Sequence, residues 1–150
     1  MKKTLSLLLL LAMLLSLFSC NRTDDARDLL TQFIGAYGAE GIIYSTKIPE
    51  GEPGHMTGDL IEKIFVFSGK FPENFAIFLN SRADFGSECG VFVCADVSEL
   101  SVAREVCLER ISLLGRGSAN AFIKCCDNVV FYSTMQDRER AEGIWKEIIR

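Results

Sequence analysis

Few side chains in this sequence have chemistry to offer. Beyond the apolar start of the chain there are five cysteines (Cys89, Cys94, Cys107, Cys125 and Cys126), one histidine (His55) and scattered carboxylates. Thiols close disulfides in exported proteins, ligate metals or act as nucleophiles. Five is an odd number, so at least one thiol has no partner within a single chain. Spacing argues against a metal centre. There is no C-x-x-C, Cys89 and Cys94 point to opposite faces of a strand, and adjacent Cys125 and Cys126 also point apart. Cys107 falls mid-stripe in a helical pattern and Cys125 on the apolar face of a strand pattern, where free thiols pack as small hydrophobes. Core filling is the expectation, with one or two disulfides or a thiol-dependent redox or metal site as rivals. The redox state of the five stays open.

A hydrolase would have to use His55, which lies in the Gly/Pro loop "GEPGHMTGD" with Asp59 four residues on. No G-x-S-x-G nucleophile elbow accompanies it, so a solvated loop histidine is expected. A glycosidase needs two carboxylates across a cleft. Glu50 and Glu52 share a loop, and Asp84 and Glu88 flank a strand start, but nothing sets any two opposite each other. Glu88 is expected instead to pair with Arg110 as a structural contact. These residues supply no catalytic set and imply no cofactor, which favours a non-enzymatic protein.

The sixth cysteine has a different role. Met1-Lys2-Lys3 precedes an uncharged, leucine-rich run from Thr4 to Phe18, which then closes on "LFSCN". A basic start, an apolar stretch and a small residue before a cut site form a secretory signal. The run is about 15 residues, short of the roughly 20 that span a bilayer. Leu17-Phe18-Ser19-Cys20 resembles the lipobox of bacterial lipoproteins. That resemblance implies a cut before Cys20 and diacylation of its sulfur, and two acyl chains suffice for stable anchoring. The expected organisation is a signal peptide over 1–19, a short tether over 20–24 and a single domain over 25–150. Asn21 to Asp24 reach at most about 14 Å, so the domain is expected close to the bilayer, lipid-anchored on the extracytoplasmic face.

Removing the first 19 of the 150 residues leaves 131, which suits one core. Loss of Lys2 and Lys3 takes the formal charge from −4 to −6. An acidic domain gains nothing electrostatically from nucleic acid, so none is expected as partner.

The elements that must position these residues follow from periodicity. Asp24 or Asp25 caps a helix with Ala26, Leu29, Leu30, Phe33, Ile34 and Tyr37 on one stripe, ended by Gly38 and Gly41. Ile42 to Tyr44 reads as a short extended piece, 47–57 as a loop, and Thr57 as the start of a short helix through Phe65. Asn74 to Asn80 and Glu88 to Ala95 read as strands joined by a polar connection from Ser81 to Ser87. Ser98 is expected to cap a long helix with Leu100, Ala103, Cys107, Ile111 and Leu114 facing the sheet, stopped by Gly115 and Gly117. Strands over 119–126 and 129–134 and a final helix capped by Asp137, with Ala141, Ile144, Trp145 and Ile148 inward, complete the chain. The order β-β-α-β-β-α with an N-terminal helical portion predicts an α+β fold with a four-stranded antiparallel sheet.

Three segments, "LFSC", "ECGVFVCADVSELSVAREVCLERISLL" and "AFIKCCDNVVFYSTMQDRERAEGIWKEII", together resemble a family of small lipoproteins of unknown function from clostridia and related Firmicutes. The resemblance covers about Met56 to Arg150. It rests on Glu88 opening the "E-x-x-V-F" strand, Arg110 late in the following helix, and the final hairpin and helix. It implies the location and fold, and it carries over no catalytic residue.

The final hairpin admits two registers. A two-residue turn at Asp127-Asn128 sets Lys124 opposite Phe131. A three-residue loop sets Cys125 opposite Val129 and Ile123 opposite Phe131, gives one clean apolar face and puts Asn128 in the left-handed position, so it is the expected choice. Phe122, Lys124, Val130 and Tyr132 then share the second face, joined by Phe78 and by Val91 or Phe92. Either the N-terminal helix and the 42–65 region cover that face, or it meets a partner protein, a second copy or a small ligand, with Phe122, Val130 and Tyr132 as the candidate interaction surface.

Overall fold

The computed structural model describes residues 25–81, 87–114 and 119–150. The expected signal peptide, Cys20 and the expected tether lie outside these residues, as do Asp84 and Gly86 in the first connection and Gly115 and Gly117 after the long helix.

Asp25 caps the first helix, α1 (Ala26–Tyr37), its carboxylate accepting from the Arg27 amide, and Gly38 ends it in the left-handed region. The extended piece after it is a strand, β1 (Gly41–Tyr44), and α2 (Gly58–Ile64) starts at the Thr57 cap. There follow β2 (Asn74–Asn80), β3 (Glu88–Val93), α3 (Val97–Leu114), β4 (Phe122–Cys126), β5 (Val129–Ser133) and α4 (Arg138–Ile148), the last capped by Asp137. The fold is α+β and, among the described residues, has four helices and one five-stranded antiparallel sheet, ordered β1-β2-β3-β5-β4. The expected four strands are corrected to five, because Gly41 to Tyr44 pairs with Asn80 to Ile77 instead of lying free.

Both faces of the sheet are covered. α1 and α4 cover one: Leu29, Leu30, Phe33, Ala141 and Trp145 pack on Ala76, Phe78, Val91, Phe122, Val129 and Phe131. α2 and α3 cover the other: Ile61, Val102, Ala103, Val106 and Cys107 pack on Phe75, Ile77, Phe92, Val130 and Tyr132. Every residue of β3 and β5 is buried as a result, which is why both read as continuous apolar runs.

This arrangement overturns the expected hairpin register. Lys124 pairs with Phe131 and Cys125 with Val130 across a two-residue turn, and Asp127, not Asn128, takes the left-handed backbone at φ 50°. A rule that seeks one apolar face cannot choose a register when both faces are buried. The two-residue turn also lets Phe131 stack on Trp145, ring centroids 4.1 Å apart, with Phe122 beside it at 5.6 Å. The sheathing of α3 differs too. Asp96, not Ser98, caps it by accepting from the Glu99 amide, and Glu99 reaches back to the Ala95 amide in a capping-box arrangement. Val102 and Val106 join Ala103 and Cys107 on the inward stripe, while Ile111 and Leu114 are only half-buried.

Candidate functional site

β3 begins by bringing a charge into the core. The Glu88 carboxylate is 4% exposed and sits on the α3 face of the sheet. Arg110, three turns into α3, holds it with two bonds: Nε to Oε1 and Nη2 to Oε2, each 2.8 Å. Tyr132 on β5 donates its hydroxyl to Oε1 at 2.7 Å. This parallel two-bond geometry is the strongest form of a carboxylate–guanidinium contact. The carboxylate raises the Arg110 pKa by hydrogen bonding, and burial holds the Tyr132 phenol well above its ordinary range. The expected Glu88–Arg110 pair is present, and the structure adds Tyr132 as a third member.

Gly90 makes the third member fit. It stands directly across from Tyr132, and a Cβ there would lie 2.5 Å from Tyr132 Cε1. The tyrosine ring lies over the bare glycine backbone and so carries its hydroxyl along the sheet to Glu88. The carboxylate is bonded by both Arg110 and Tyr132 and shielded from solvent, and Arg110 also donates Nη1 to the Ile64 carbonyl at 3.5 Å. The cluster ties β3, β5 and α3 together.

The proposed interaction surface is corrected. Phe122 lies under α4 while Val130 and Tyr132 lie under α3, so the three do not share a face. Phe122 is 6% exposed, and Val130 and Tyr132 are fully buried. Phe78 and Val91 go with Phe122, and Phe92 goes with Tyr132.

The thiols divide by depth. Cys89, Cys94 and Cys107 are buried, Cys126 is half-buried and Cys125 is exposed, and none of the five forms a disulfide. Cys107 fills the core as expected; Cys125 does not, because β4 is an edge strand. Burial pushes the Cys94 thiol up to about 12 and the Cys89 and Cys107 thiols well above their usual range. Such thiols stay protonated and unreactive at neutral pH. Among the described residues no group of three histidine, cysteine or acidic side chains is placed to hold a metal ion.

His55 is not a freely solvated loop residue. Its loop is closed by Ser45, whose amide donates to the Gly54 carbonyl and whose carbonyl accepts from Met56. The His55 ring is half-buried and Nδ1 meets the Ile48 carbonyl; a carbonyl only accepts, so Nδ1 carries the hydrogen. Asp59 is exposed in the first turn of α2, and Glu50 and Glu52 are exposed in the loop.

Two of the concavities among the described residues lie at the margins of the sheet. One, about 250 Å³, is polar and lies at the end of the sheet bordered by Tyr37, Glu40, Asn80 and Ser87. The other, about 330 Å³, is a groove between edge strand β4 and the outer flank of α4. Trp145, Ile149 and Cys126 give it apolar walls, and Lys124, Glu142 and Lys146 rim it. Sequence patterning missed this groove because it depends on β4 being at the edge and on α4 crossing it. The signal that was present is the alternation Lys124–Cys126 facing Glu142–Lys146, which only the two-residue turn places on the α4 side.

No protein-family model, curated protein or solved structure matches this chain.

Proposed function

We propose that the protein is a bacterial surface lipoprotein, anchored in the cell membrane through acylated Cys20 and acting as a non-enzymatic binding module. The observation that carries the reading is the run Leu17-Phe18-Ser19-Cys20 closing an apolar segment that follows Lys2 and Lys3. The folded residues support it. The first described helix is capped at Asp25, with only the four residues Asn21–Asp24 between that cap and Cys20, which suits a domain tethered near the bilayer. No helix among the described residues is long and apolar enough to cross a membrane. A binding role suits a domain whose buried Glu88 and Glu99 carboxylates are each taken up by a cation of the fold and two of whose concavities lie at its edges. The rival thiol-dependent reading draws on Cys125 and the half-buried Cys126, since burial suppresses ionisation of Cys89, Cys94 and Cys107.

The test is metabolic labelling of the full chain in a bacterial host with an alkyne fatty acid. The wild-type chain should take up label and fractionate with membranes, and Cys20→Ala should do neither. Equal labelling of Cys20→Ala would dismiss the reading.

A further inference from the structure

The groove between β4 and α4 has the features of a site for a small amphiphile. Its volume of about 330 Å³ is at the lower end of the range for ligand cavities. Its walls, Trp145, Ile149 and Cys126, are apolar. Its rim is electropositive in a chain whose net charge is −4. Its lining carries two positive charges, Lys124 and Lys146, against the one negative charge of Glu142, and that carboxylate is taken up by Lys124 at 2.9 Å and by Arg138, which does not line the groove, at 2.8 Å. The charge in excess is that of Lys146. It has no carboxylate partner among the described residues, and the acidic residues nearest it in sequence or across the turn, Glu147 and Asp127, are exposed and do not pair with it. An apolar trough with an uncompensated ammonium at its mouth matches a ligand with one apolar chain and one anionic head.

The placement of the groove agrees with this. Asn74, Val93, Val129 and Cys126 form one row across the sheet by their pairings. Asn74 accepts from the Ala26 amide, where the chain comes in from the residues before Asp25. Cys126 lines the groove. Three strand spacings separate them, about 14 Å. The groove therefore opens at the end of the sheet from which the N-terminal segment departs.

We infer that this groove binds a free fatty acid, with the acyl chain against Trp145 and Ile149 and the carboxylate on Lys146. This names the ligand of the proposed binding module. It rests on the lipoprotein reading only for supply, since a domain held at Cys20 keeps the groove beside the bilayer into which fatty acids partition.

Trp145 is the chain's single tryptophan, so the groove carries its own reporter. The full chain is placed in phosphatidylcholine vesicles and titrated with dibrominated stearic acid, whose bromines quench indole fluorescence on contact, and with its methyl ester. The wild-type protein should show saturable quenching by the acid and at least tenfold weaker quenching by the ester. Lys146→Glu should weaken the acid response at least tenfold. Gly143→Leu should abolish it, because Gly143 lines the groove and a Cβ there meets nothing within 4 Å, so the new side chain fills the trough without disturbing the helix. Circular dichroism and the melting temperature establish that both variants are folded. Quenching that does not saturate, that is equal in both variants, or that arises from dibrominated phosphatidylcholine vesicles alone would overturn the inference, because it would report contact with the bilayer. This binding test and the labelling of Cys20 are read separately, so the failure of one is not mistaken for the failure of the other.

Discussion

The Glu88–Arg110–Tyr132 cluster makes a quantitative demand on stability. Replacing Arg110 by Met keeps most of the side-chain volume and removes both bonds to a carboxylate that is 4% exposed. What remains is one hydroxyl, from Tyr132. Removing one partner of a buried ion pair costs about 3–5 kcal/mol, because the other charge is left without compensation. The surviving hydroxyl bond and the partial exposure of Arg110 set the expectation at the lower end, about 3 kcal/mol. Against a total of roughly 5–15 kcal/mol this is a large fraction. Urea denaturation followed by Trp145 fluorescence should show it as a midpoint about 1–3 M lower with an unchanged slope. The double variant Glu88→Leu/Arg110→Met should recover part of the loss, since it removes the stranded charge along with its partner, and adding Tyr132→Phe should recover more by removing the orphaned hydroxyl. An Arg110→Met loss below about 1 kcal/mol, or a double variant worse than the sum of its parts, would show that Glu88 is solvated and that the cluster does not hold the sheet to α3.

Gly90→Ala tests the same cluster from the backbone side. Its Cβ would lie 2.5 Å from Tyr132 Cε1, so the ring must shift, and a loss of about 1–3 kcal/mol is expected in the same urea assay. Alkylation of the native protein under reducing conditions should modify Cys125 first and Cys126 more slowly, with Cys89, Cys94 and Cys107 reacting only after denaturant is added; peptide mass mapping reads the order. The Glu99 carboxyl is held below its ordinary value of 4.5 by the Ala95 amide and by Lys70. A lowered native pKa means that its contribution is complete above about pH 4.5 and is lost as pH falls through the native value, so Glu99→Gln should flatten the acid limb of the stability–pH curve and leave the slope above pH 6 unchanged.

The elements were largely legible in the sequence, because caps and periodicity are local. Asp25, Thr57 and Asp137 each cap the helix expected of them, and Asn74 to Asn80 is a strand at the expected bounds. The Glu88–Arg110 contact was legible as well, since two long opposite charges on adjacent apolar elements need each other. Layering was not legible. The stripe on α1 and the stripe on α3 are both apolar, and neither says on which side of a sheet its helix packs. That depends on the crossover from β3 through α3 to β4, which places β5 between them.

One unresolved choice of layering propagated into the site. Assuming a single buried face made the three-residue hairpin loop look necessary, and that loop placed Phe122 with Tyr132. With α1 and α4 on one face and α2 and α3 on the other, each alternate residue of β5 is apolar for its own reason, and the turn alone sets the register. Asp127 accepts the left-handed conformation, the pairing shifts, and Lys124 moves to the α4 side to meet Glu142. The same shift puts Cys125 at the exposed edge and brings Cys126 beside Trp145 at the groove. A change that forces the alternative register would therefore act at a distance. Deleting Asn128, so that Cys126 and Asp127 form the two-residue turn and Cys125 comes opposite Val129, should set Lys124 opposite Val130 and off the Glu142 side, remove the apolar wall at Cys126, and abolish fatty-acid quenching of Trp145 while β3 and the Glu88 cluster persist.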